Sequence, residues 1–241
     1  MFGFIYNFKR IYSAIKCRDD ILSLYKLHMR GMFLTKWLVL ATLLFVVCAC
    51  LYPIDLIYAI DVNVTLFFER IRSPFLTEMF LFISDIGSIK YTLPICIVVA
   101  LILLFKRKMI DVVFLFGMYF GVRQINYQLK EFFVRERPPF DAVYEAAHYS
   151  FPSGHSMNSI AIFSFICYLV ITHFVKSYNK KNYLILLTLL VIIFIGLSRI
   201  YLGVHYLTDV LAGFSAGFVW FILIKIMLEK VNQLVAKKSD F

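Results

Sequence analysis

The chain has 241 residues, of which 61% are hydrophobic and 18% aromatic, and a formal net charge of +10. Its mean hydropathy of +0.81 excludes an ordinary water-soluble globule. The basic excess lies in tails and short connections that contain no recognisable nucleic-acid module, so it reads as a signal for membrane topology and anionic lipid, and no nucleic-acid partner is expected.

Residues 1–36 scatter seven bases among aromatic and aliphatic positions and show no cleavable signal peptide. They read as a cytoplasmic, amphipathic amino-terminal segment lying along the inner leaflet. Six predominantly apolar runs follow: 37–57, 91–105, 109 into the Lys130 region, 155–175, 183–200 and 207–227. Runs of about 20 residues cross a bilayer core of roughly 30 Å. In lipid each backbone polar group must be satisfied within its own segment, so all six are expected to be helices. The second run is short and begins before Lys90. The expected fold is an all-α polytopic membrane protein, with a six-helix domain over 37–230 and a cytoplasmic tail over 231–241.

Between the first two runs, 62–72 and 74–83 are short amphipathic pieces split by Ser73-Pro74, a helix break. They read as interfacial helices roofing the outer side. Phe67, Phe68, Phe75, Phe80 and Phe82 there either meet acyl chains or pack on the bundle. Five cysteines are an odd number without disulfide-like spacing, and four of them fall inside spans as small core residues. Cys48-x-Cys50 lacks the nearby histidine that a metal site would need.

Seventeen of the 25 lysines and arginines precede the first run, join the second to the third and the fourth to the fifth, or end the chain. The positive-inside rule therefore puts both termini in the cytoplasm and the alternate connections outside.

Those outer connections hold the chemistry. Lys130 and Arg137 are seven residues apart, within about 20° of one helical stripe, with Pro138-Pro139 ending the helix. Together they offer a point charge and a bidentate fork to one anion; alone, each also reads as a cation snorkelling to headgroups. Arg135, on another face, fits that second description, and Glu136 is expected to pair with a neighbouring base. Next, Ser150-Phe151-Pro152-Ser153-Gly154-His155-Ser156 turns a loop into the fourth helix. Ser153 is a natural N-cap, Gly154 lets a ligand approach the backbone, and the free amides with the helix dipole favour an anion. His155 stands at its mouth as a proton donor or as an ordinary interfacial histidine. Finally, Ser198-Arg199 closes the fifth run, Gly203 turns the chain, and His205 and Asp209, four apart, meet on one helical face. The carboxylate can fix one ring nitrogen and free the other to attack; a His and Asp capping a helix start is the plainer alternative.

The ordered set Lys130-x6-Arg137-Pro138, Pro152-Ser153-Gly154-His155 and Ser198-Arg199-x5-His205-x3-Asp209 resembles the three-part signature of the type 2 phosphatidic acid phosphatase superfamily. The resemblance runs from about the 53–90 connection to about residue 225 and includes Asn126 and Leu129. It implies a six-helix enzyme that hydrolyses phosphate monoesters or pyrophosphates of lipids at the outer face, without metal or cofactor, through a phosphohistidine. His205 then resembles the nucleophile, Asp209 its orienting acid and His155 the general acid and later base. Lys130, Arg137 and Arg199 resemble the phosphate-binding cations, with Ser153 and the Gly154 amide completing the cradle. The resemblance extends to bacterial inner-membrane enzymes acting on phosphatidylglycerophosphate, phosphatidic acid or undecaprenyl pyrophosphate, and to lipid A phosphatases. A phosphotransferase would keep the same residues, and a lipid or ion carrier would use Lys130, Arg199 and Asp209 without phosphate release.

Overall fold

A computed structural model of the chain describes Met32 and residues 34–239, so the reading of residues 1–31 as an amphipathic anchor lies outside the described residues. Among these the regular elements are eight helices and no strand: α1 (Leu34–Leu51), then α2 (Asp55–Arg70), α3 (Pro74–Ile86), α4 (Ile89–Phe105), α5 (Met109–Phe133), α6 (Gly154–Phe174), α7 (Tyr178–Tyr201) and α8 (Leu207–Ser239). The chain divides into two units, 1–40 and 41–241. Of the first, the described part is helical; the second holds the rest of α1 and helices α2 to α8.

Four helices, α1, α6, α7 and α8, are long and apolar enough to cross a bilayer, and α3 with α4, bent by 43° at their junction, make a fifth candidate. The six-span count is therefore not reproduced on length and composition alone. The helix that fails is α5: its 25 residues extend about 37 Å, but Asp111, Arg123, Lys130 and Glu131 interrupt its apolar character. Asp111, Asn126 and Lys130 are buried, which places the polar side of α5 inside the bundle, where polar residues of a membrane helix belong. At 17 residues, α4 is short as expected.

The first run stops at Leu51 because Pro53 cannot continue a helix, and α2 begins at Asp55, seven residues before the expected interfacial piece. The break at Ser73-Pro74 stands: Pro74 opens α3, and the Ser73 side chain accepts the Leu76 amide at 3.3 Å. Of the five roof phenylalanines, Phe68 and Phe80 pack on Tyr201, with centroids at 6.3 and 4.3 Å, while Phe67, Phe75 and Phe82 are exposed. Cys48, Cys96 and Cys167 are buried, whereas Cys50 is exposed and departs from the core reading. At the other end of the chain α8 runs on to Ser239 with no break at residue 230.

The core lies between α4, α5, α6 and α8, around Leu115, Met118, Val122, Met157, Ile162 and Phe165. Along α8, Gly213 and Gly217, one turn apart, sit where a Cβ would collide with the backbone carbonyls of Ser153 and Met157. Small residues at this spacing let two membrane helices approach backbone to backbone. That contact sets the start of α6 against the start of α8.

One boundary differs from the sequence expectation in a consequential way. Helix α5 ends at Phe133, where Val134 turns left-handed (φ 48°) and its amide bonds back to the Lys130 carbonyl, four residues before Arg137. Residues 134–153 then run without regular structure. Phe151 anchors this segment against Tyr52, Phe45 and Phe133, with ring centroids 5.0, 6.0 and 4.8 Å away. The backbone bonds Ser150 N to Arg135 O (2.7 Å), Val143 N to Leu202 O (3.0 Å) and Ser153 N to Asp209 O (2.9 Å) hold it further.

Candidate active site

The C-terminal end of α5, the N-terminal end of α6, the α7–α8 turn and the 134–153 segment converge at one end of the bundle. In the turn, Gly203 adopts a positive φ of 74°, a conformation glycine takes without strain. Arg72, at the α2–α3 corner, clamps that turn by donating to the Tyr201 carbonyl at 3.0 Å and to the Asp141 carbonyl. His205 follows, 2% exposed, and Asp209 lies in the first turn of α8, where a carboxylate complements the helix dipole.

His205 Nδ1 faces Asp209 Oδ2 at 3.4 Å and Ser150 Oγ at 3.3 Å, and its Nε2 faces Arg137 Nη1 at 3.3 Å. A guanidinium has donors and no lone pair to offer, so Nε2 is the acceptor and the ring proton sits on Nδ1, toward the carboxylate. Burial first, then Lys130, Arg137 and Arg199, push this imidazole well below its ordinary 6.5. The ring is therefore neutral near pH 7, with its free lone pair on Nε2.

Lys130 is 8% exposed and donates to the carbonyls of Tyr149 and Ser150. Arg137 donates to the carbonyls of Val204 (2.7 Å), His148 (2.8 Å) and Ala147 (2.9 Å). Both cations also reach the Tyr149 carbonyl, so they meet as expected, but across a chain reversal and not along one helical stripe. Burial, then Arg199, lowers Arg137 from the usual guanidinium value, a repulsion that an entering anion would relieve. Arg199, 2% exposed, reaches Ser84 Oγ on α3 and lies under the Tyr144 ring at 5.6 Å. Its Nε is buried without a hydrogen-bond partner, a costly state that an anionic ligand would satisfy.

Ser153 occupies the N-cap of α6, but its hydroxyl accepts from Ser156 Oγ (3.0 Å) and makes no capping bond. A Cβ on Gly154 would stand 2.8 Å from Asn126 Oδ1, so the glycine admits Asn126, whose amide donates to the Pro152 carbonyl at 3.2 Å. His155 lies one residue further along the first turn of α6.

Arg135 is where the sequence reading errs. It is no snorkelling cation: it is 7% exposed, donates to Asp209 Oδ1 at 2.6 Å and Asp61 Oδ2 at 2.8 Å, and lies between the Tyr52 and Tyr206 rings at 4.7 and 4.2 Å. Ser150 was also missed, and its hydroxyl donates to Asp209 Oδ2 at 2.5 Å. Glu136 is exposed and forms no ion pair among the described residues; with Asp55, Tyr58 and Tyr206 it lines a cleft of about 280 Å³ that opens on Arg135 and Arg137. An acid inside the apolar stretch Ile60-Asp61-Val62 was the available signal for Asp61.

The PAP2 superfamily model matches residues 95–233. This chain belongs to that superfamily. It is 33% identical to phosphatidylglycerophosphatase B of Bacillus subtilis over 81% of its own length and 96% of that protein. The crystal structure of a transmembrane PAP2-type phosphatidylglycerolphosphate phosphatase from Bacillus subtilis superposes with a TM-score of 0.77 at 31% identity, covering 80% of this chain and 96% of that one. Aquifex aeolicus LpxE superposes at a TM-score of 0.53 with 25% identity, covering 68% and 94%. With its several apolar helices, the chain is a multi-pass membrane member of the superfamily.

Proposed function

We propose that this protein is a metal-independent lipid phosphatase working through a phosphohistidine on His205. Nε2 attacks the phosphorus, the bond from phosphorus to the lipid oxygen breaks, and His155 gives that oxygen its proton. His155 then takes a proton from water, whose oxygen displaces His205 and releases inorganic phosphate. Lys130, Arg137 and Arg199, with Ser153 and the Gly154 amide, hold the phosphoryl oxygens, and the three fixed cations stabilise the charge that spreads over them in an in-line transfer. The observation that carries this reading is the orientation of His205, with Nδ1 on Asp209 and Nε2 on a phosphate-binding arginine.

For substrate we favour phosphatidylglycerophosphate, for which the Bacillus subtilis relative and the superposed Bacillus subtilis structure are named. Lysine and arginine placement supports an outer-face site in a bacterial inner membrane with both termini inside. Purified protein in detergent with EDTA, offered phosphatidylglycerophosphate, phosphatidic acid, undecaprenyl pyrophosphate and lipid A, tests both points. Phosphate release from the first above the others, abolished in His205→Ala, is the expected result. Preference for another lipid overturns the substrate, and release that survives His205→Ala overturns the mechanism.

A further inference from the structure

Beyond His205 and Asp209 a chain of buried charges continues outward. Asp209 Oδ2 accepts the Ser150 hydroxyl (2.5 Å) and the Tyr206 amide (2.9 Å) besides facing His205. Its other oxygen, Oδ1, accepts Arg135 Nη1 at 2.6 Å. Arg135 Nη2 donates to Asp61 Oδ2 at 2.8 Å. Asp61 itself is pinned to the start of α8: its Oδ1 accepts the Thr208 amide at 3.0 Å and its Oδ2 the Thr208 hydroxyl at 2.5 Å. Asp61 and Asp209 are fully buried, and no catalytic step proposed above uses Asp61 or Arg135.

We propose that Asp61 and Arg135 are positioning residues for the reaction, a relay by which helix α2 fixes the orientation and the charge of Asp209 and, through it, of His205. This inference rests on the phosphatase reading above. The charge count explains why both are needed. Asp209 must face a ring that becomes cationic as Nε2 bonds to phosphorus, in a site already crowded by Lys130, Arg137 and Arg199. Arg135 alone would neutralise Asp209, leaving that ring no counter-charge. With Asp61 added, the trio carries a net charge of −1. Removing Arg135 instead leaves two buried carboxylates facing one another, which cannot both stay ionised cheaply.

The relay therefore predicts a compensation that mere structural support does not. Arg135→Gln lowers kcat about 100-fold with KM within about threefold, and Asp61→Asn alone lowers kcat about 10-fold, effects of the size that outer partners of catalytic groups show. Because the double variant Asp61→Asn/Arg135→Gln again leaves Asp209 as one lone carboxylate, its kcat recovers to within about 10-fold of wild type, a coupling only interacting sites produce. The experiment measures lipid phosphate release by all three variants beside His205→Ala, each first checked for monodisperse elution in detergent. A wild-type kcat in Arg135→Gln, or a double variant no faster than Arg135→Gln, overturns the relay while His205→Ala stays inactive. Activity in His205→Ala overturns the phosphatase reading and the relay together. Should Arg135→Gln fail to purify, Asp61→Asn decides: a kcat within twofold of wild type overturns the relay.

Discussion

Among the described residues the bundle holds two histidine–aspartate pairs, one near each end. His205 and Asp209 meet at 3.4 Å across the start of α8. His173 Nε2 and Asp111 Oδ2 meet at 3.0 Å, joining the last turn of α6 to the first turn of α5. Asp111 lies roughly 28 Å from Lys130 along α5. By separation alone the second pair is the better made. The first pair differs in its buried company: Lys130, Arg137, Arg199 and the start of α6 gather around His205, and the Asp61–Arg135 pair backs Asp209. A carboxylate can orient any histidine. Buried cations around the ring suit the first pair to an anion, whereas the second ties α5 to α6.

The largest expected effect comes from removing the carboxylate charge while keeping its shape. Asp209→Asn should lower kcat by about 10³-fold or more, with KM changing little, because an amide can stabilise either tautomer of the ring and cannot balance its charge. Steady-state phosphate release measures it, and a rate within tenfold of wild type would break the distinction between the two pairs. A smaller effect follows from Arg199→Lys. Lysine keeps the charge but loses the fork that reaches Ser84 Oγ and leaves Nε for a ligand, so kcat/KM should fall about 100-fold. Near-normal kinetics would mean that charge alone suffices there.

These contrasts were partly legible in the sequence. Helices announce themselves by apolar runs, and Ser73-Pro74 announced its break. The three motifs supplied Lys130, Arg137, His205 and Asp209, which the structure does bring together. Arg135 was lost because the helix was carried on to Pro138. In a helix, residues 135 and 137 face different ways. In the irregular segment that exists after Val134, both turn toward His205 and Asp209, as alternate residues of an extended chain do. The partners of Ser150 and Asp61 were hidden for another reason: they lie 59 and 74 residues away, and spacing rules reach only about one helical turn.

Protonation offers a milder way to sharpen the comparison. His205 stands well below its ordinary 6.5, through burial first and the cations next. As the pH falls through 6.5 the unfolded chain takes up a proton there and the native state does not. Native stability therefore drops as the pH goes down, at up to about 1.4 kcal/mol per pH unit, until the lowered value is reached. Thermal unfolding in detergent between pH 7.5 and 5.5 should show this slope, and His205→Gln should make it shallower. Equal slopes in the two proteins would contradict the depressed histidine.

The smallest effect is expected at the other pair, and it is the one that tests whether surroundings or the pair itself make the site. His173→Ala removes the contact with Asp111, far along α5 from Lys130. Phosphate release should stay within twofold of wild type in both kcat and KM. Melting should fall by an amount corresponding to about 1–2 kcal/mol, since a buried carboxylate loses its partner. The two readouts then separate: chemistry is lost at His205 with the fold intact, and stability is lost at His173 with the chemistry intact. A large drop in kcat for His173→Ala at unchanged melting would show that the far end of α5 and α6 communicates with the site, and the contrast between the pairs would fall.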